Sequence, residues 1–104
     1  MRLVLFVAGE SPNSVAAVAN VRRALELEGA ARFELEIVDV FEHAERALAE
    51  RVLVTPTLIR LSPVPVRRLL GDMSATTELH SLLRARSVTE SASEWRSDWQ
   101  AASE

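Results

Sequence analysis

The chain has 104 residues, of which 48% are hydrophobic and 26% charged, and its net charge is −3. That fits one domain with enough apolar surface for a core and too little basic charge for nonspecific nucleic-acid binding. Cysteine and lysine are both absent, which excludes disulfides, thiolate metal sites, thiol nucleophiles, a lysine Schiff base and a P-loop lysine.

The first predicted element is a strand over residues 2–8, apolar on both faces and stopped by Gly9-Glu10. It is too short for a membrane span or a signal peptide, so the expected compartment is the cytoplasm. Ser11-Pro12 then opens a helix, with Ser as the cap and Pro in the first turn. The helix runs to about Glu28, with Val15, Val18, Val21 (or Arg22) and Leu25 on its inner face and Gly29 as the stop.

Residues 33–40 form the second strand. Its first half alternates apolar and acidic residues, which leaves one face wet and places it near a sheet edge. Strand, helix and strand in this span make a βαβ unit, with a right-handed crossover and parallel pairing. Phe41 to Glu50 reads as a short polar helix with Ala44, Ala47 and Leu48 inward. A third strand covers Val52 to Leu61 and is broken by Pro56, which marks a strand start, a bulge or a cis bond.

Ser62-Pro63-Val64-Pro65 is a turn, Val66 to Leu70 a short fourth strand, and Gly71-Asp72 its end. Ser74 is placed to cap a last helix whose Leu79, Leu82 and Leu83 form an apolar stripe. The order βαβαββα is that of a thioredoxin-like α/β sandwich. The domain is expected over residues 1–86. Residues 87–104 read as a Ser-, Ala- and Glu-rich tail in which Trp95 and Trp99 could share one face of a docking helix.

Five stretches resemble the KaiB family of circadian-clock proteins: Leu5-Phe6-Val7-Ala8-Gly9, Pro12-Asn13-Ser14, Val38-Asp39-Val40, Val54-Thr55-Pro56-Thr57-Leu58, and Pro63 through Ser74. The last, with Thr-Pro-Thr upstream, is the most specific, and the resemblance covers roughly residues 3–80. The chain is also similar to the KaiB-like sensor domain of the clock histidine kinase SasA. The resemblance implies a non-catalytic binding protein that docks on the ATPase ring of a KaiC-like protein. A KaiA-like protein or a histidine kinase is a further implied partner, and an adaptor acting on a two-component kinase is the alternative function. KaiB proteins are known in a tetrameric ground-state fold and in a thioredoxin-like form that binds KaiC, so the ground-state fold is the alternative architecture.

Ser11 and Ser14 occupy the corner where a thioredoxin keeps its two cysteines. A hydroxyl has no accessible anion near neutral pH, so dithiol exchange is absent. Thr55-Pro56 matches the thioredoxin-fold cis-proline. Asn20, Arg22 and Arg23 on the first helix, together with Pro63, Arg67, Arg68, Gly71 and Asp72, are the partner-binding residues the resemblance favours over plain solvated positions. Arginine suits such a surface because its planar fork pairs bidentately with acidic groups.

His43 and His80 have no ligand-spaced neighbours, so no metal and no other cofactor is expected. No nucleophile elbow is present, and a thiol-independent thioredoxin-fold transferase using Ser11 or Ser14 has no feature to supply its pocket. Nucleic acid and membrane partners are not expected.

Residues 78–86 bear on which fold is populated. Typical KaiB proteins read approximately Lys-Val-Leu-Ile-Gly-Leu-Asp-Leu there, where the ground-state form has a strand. In this chain Leu82 stands for the Gly and Arg84 for the Asp. Removing a helix-weakening Gly and placing a cation at the helix C-terminus shift the balance toward helix by roughly 1–2 kcal/mol. The expectation is the thioredoxin-like form, as a monomer or weak dimer.

Overall fold

The computed structural model describes residues 1–84. The expected tail, with Trp95 and Trp99, lies outside the described residues, as do Ala85 and Arg86. Four strands, β1 (Arg2–Val7), β2 (Glu34–Asp39), β3 (Thr57–Ser62) and β4 (Arg67–Leu70), form one sheet in the order β2-β1-β3-β4. β2 is parallel to β1; β3 is antiparallel to both β1 and β4. Helices α1 (Pro12–Glu28), α2 (Ala44–Ala49) and α3 (Thr76–Arg84) complete the order βαβαββα. A 3-10 turn over Ala30–Arg32 sits between α1 and β2.

The alternation of β1 explains the layers. Leu3, Leu5 and Val7 point to one face, where they meet Ala17, Val21, Ala24 and Leu25 of α1 and Leu79, Leu82 and Leu83 of α3. Val4 and Phe6 point to the other, where they meet Val38, Ile59 and Ala47 of α2. A strand buried on both faces is read as continuously apolar, and β1 is one of the two interior strands. β2 is an edge strand with Val38 its only fully buried residue, as its acidic alternation implies. Burying each large apolar side chain contributes about 1.5–3 kcal/mol, so the three leucines of α3 are the main force holding that helix down.

Three inner-face assignments are corrected. Val15 is 55% exposed, and buried Ser14 takes the inward position in the first turn of α1. Leu48 is 77% exposed and Ala44 also faces solvent, so α2 packs through Ala47 alone. A single turn and a half of helix has too little length to bury two sides. α3 begins at Thr76, past Ser74, whose N–H is instead accepted by Asp72 Oδ1 at 3.0 Å.

Gly29 ends α1 with φ of 98° and returns its N–H to the Glu26 carbonyl. That left-handed conformation is open to glycine without the Cβ penalty. Pro56 precedes β3, and strand pairing starts at Thr57, consistent with a proline that cannot sit in a paired position. The Thr55–Pro56 bond is cis, as are Ser62–Pro63 and Val64–Pro65.

Candidate functional site

The corner between β1 and α1 is built on Ser14. Ser14 is 1% exposed, and its Oγ accepts the Ala8 N–H at 3.0 Å and the Ser11 hydroxyl at 2.9 Å. Ser11 occupies the N-cap position of α1 but makes no side-chain cap bond, because its hydroxyl is turned to Ser14. Both hydroxyls therefore serve the corner. Among the described residues no base is hydrogen-bonded to either of them. Asp39, at the end of β2, closes the same end of the sheet: its Oδ1 accepts the N–H groups of Gly9 (3.2 Å) and Phe41 (2.9 Å).

Asn20 and Asp72, 52 residues apart in the sequence, are brought together. Asn20 Nδ2 donates to the Asp72 carbonyl at 2.9 Å. Hydrogen bonding from Ser74 holds the Asp72 carboxyl below the usual aspartate range. Gly71, with φ of 101°, donates its N–H to the Pro56 carbonyl at 3.0 Å and so ties the end of β4 to the proline loop.

The arginines separate. Arg22 and Arg23 are exposed on α1. Arg22 lines an open groove between α1 and β2 with Leu25, Glu26, Ala30, Leu35 and Ile37. Arg67 lines a second groove, between β4 and α3, with Arg68, Leu69, Thr77, Glu78, Ser81 and Leu82. Because β2 and β4 are the two edges of the sheet, Arg22 and Arg67 do not share a patch. Arg68 lies on the α2 face of β4 and donates to the carbonyls of Arg51 (3.3 Å) and Glu50. These are the carbonyls left unpaired where α2 ends, so Arg68 is engaged within the chain. Pro63 is half-buried in the β3–β4 turn.

Two features were not found from the sequence. Arg60 is 1% exposed, and its guanidinium donates to the Leu82 carbonyl at 2.9 Å and to the Pro65 carbonyl at 2.8 Å. Burial, with Arg67 adding repulsion, pushes its pKa down. The other feature is the carboxylate of Glu28 at the end of α1. It accepts from His80 Nδ1 at 2.6 Å and from Arg84 Nε at 2.7 Å. His80 and Arg84 are four apart on α3 and share a helix face, a signal that was legible; their partner on another helix was not. Among the described residues no group of His, Asp and Glu is arranged to hold a metal ion.

Comparison with known proteins places this geometry. The KaiB domain profile matches residues 4–85. The chain belongs to the KaiB family. It is 42% identical over 72 residues to the circadian clock oscillator protein KaiB of Synechococcus elongatus, covering 69% of this chain and 71% of that one. To the circadian clock protein KaiB3 of Synechocystis it is 40% identical over 77 residues, covering 74% and 76%.

Among solved structures it is similar to the N-terminal domain of Synechococcus elongatus SasA, with a TM-score of 0.66, 28% identity, and coverage of 79% and 77%. Chloroplastic thioredoxin z matches with a TM-score of 0.57 at 17% identity, covering 77% and 78%, and shares the fold. The thioredoxin-like architecture expected from the sequence is the one found. Among the described residues no helix is long and apolar enough to cross a membrane.

Proposed function

We propose that this KaiB-family chain is a non-catalytic clock or signalling regulator that docks on the ATPase ring of a KaiC-like protein. The observation that carries the reading is the groove between α1 and β2. Arg22 stands there beside half-buried Leu35 and partly exposed Ile37, next to a strand whose outer edge pairs with no other strand of the sheet. A surface combining exposed guanidinium, apolar side chains and open main-chain groups suits a protein partner: the strand edge offers hydrogen bonds, and the arginines select acidic groups. Arg23 extends this surface along α1, and the Asn20–Asp72 junction joins α1 to the loop after β4. Arg67, Pro63 and Gly71 would form a separate contact region on the β4 side, with Arg68 contributing through its support of α2.

The likeness to the SasA N-terminal domain favours a second reading, an adaptor or sensor-type protein acting on a two-component histidine kinase. A pull-down with a KaiC homologue and ATP, and in parallel with the histidine kinases of the same organism, separates the two. Retention by the KaiC homologue supports the first; retention by a kinase alone replaces it with the second.

A further inference from the structure

We propose that α3 is a latch, held shut on its outer side by a charge clasp at Glu28 and loaded on its inner side by the buried Arg60. The outer contact is compact. Glu28, its side chain 11% exposed, accepts from both His80 and Arg84. These contacts join the last residue of α1 to the second half of α3. The bond to the imidazole needs only a proton on Nδ1, so it forms with the ring neutral or charged, whereas the bond to Arg84 is always charge-assisted.

The inner contact works in the opposite sense. Closing α3 places the Arg60 guanidinium under Leu82, where among the described residues its partners are two neutral carbonyls, no carboxylate pairs with it, and its Nε has no acceptor. A buried cation without an anion is costly, and a buried N–H without an acceptor adds to the cost. Arg67, its cross-strand neighbour on β4, brings further positive charge. The leucine stripe and the clasp favour closure, while the arginine favours opening and rehydration. An element balanced in this way opens locally, ahead of the sheet beneath it. Opening would present Leu79, Leu82 and Leu83, and uncover Leu58 and Met73 below them.

Amide hydrogen exchange on the full-length protein tests this. In Glu28→Gln the amides of residues 79–84 should exchange about three- to tenfold faster, the effect of losing charge-assisted hydrogen bonds at a half-buried site. The β1 and β3 amides should keep their rates. Glu28→Gln with Arg84→Gln should be no faster than Glu28→Gln alone, since one interaction is removed in both. About 1 M salt should accelerate α3 exchange in the wild type and leave Glu28→Gln unchanged. Arg60→Met should slow α3 exchange below the wild-type rate. Unchanged α3 rates in Glu28→Gln, equal acceleration of α3 and β1, or faster α3 exchange in Arg60→Met would each overturn the proposal.

Discussion

Asn20 and Asp72 lie 2.9 Å apart, side-chain amide to main-chain carbonyl. The bond fixes the loop after β4 against the middle of α1. The two segments are thereby tied together across 52 residues of sequence. Asn20→Ala leaves the Asp72 carbonyl without its donor in a partly buried place. Stability should fall by about 0.5–1.5 kcal/mol. Urea denaturation should show this as a lower midpoint at unchanged slope, because the loss is local and the unfolded state is untouched.

Ser14 holds the corner that a thioredoxin uses for chemistry. Ser14→Ala deprives the partly buried Ala8 N–H of its acceptor and the Ser11 hydroxyl of its partner. A loss of about 1–3 kcal/mol is expected, measured as above. Ser11→Ala, which leaves the Ala8 bond in place, should cost less. With no cysteine in the chain, insulin reduction should stay at background in all three proteins.

The acid side of the stability profile should be steep. His80 and then Arg84, both on α3, hold the Glu28 carboxyl below its ordinary 4.5. Arg46, on α2, does the same for Glu36, with smaller help from Arg2 and His43. A carboxyl whose folded pKa is depressed binds more protons when unfolded, so stability rises with pH across that interval. The contribution is complete above the unfolded value and is lost as pH falls through the folded one. Denaturation midpoints should therefore drop as pH falls below about 4.5, and Glu28→Gln should flatten that slope.

Leu82 and Arg84 are expected to support the helical state of residues 76–84. Leu82 is buried in the main core and Arg84 is paired with Glu28. Leu82→Gly removes a buried side chain, at about 2–5 kcal/mol, and adds a helix penalty of about 1 kcal/mol. Adding Arg84→Asp puts like charge against Glu28. The double variant should lose helical signal by circular dichroism, and the α3 amides should lose protection. A double variant with wild-type helicity would show that this segment does not depend on them.

The fold was legible because its signals are local and strong. The uninterrupted apolar run of β1, the glycine after Glu28 and the acidic alternation of β2 each have one simple structural solution. Inner faces were less legible. Val15 and Leu48 are apolar but exposed, since the direction of a short helix is set by what it packs on. The site residues divide similarly. Arg22 and Arg23 are exposed on α1, whereas Arg68 looks identical in sequence and is bound to the end of α2. Arg60, surrounded by strand-forming residues, carried no sign that its charge would be buried. Pairings across 52 residues, such as Glu28 with His80, are fixed by the packing of α1 on α3 and leave no local trace.

The central claim is that a KaiC-like ATPase is recognised through the arginines and groove of α1. The most direct measurement is the association rate of the wild type, Arg22→Glu and Arg23→Glu with a KaiC homologue and ATP, at low and at moderate salt. Exposed charges contribute within about 0.5 kcal/mol to stability, so the variants should fold normally. The account predicts that the wild type binds, that each charge reversal slows association about tenfold or more, and that the variants show weaker salt dependence. A wild-type chain that does not bind, or variants that associate at the wild-type rate, would contradict it.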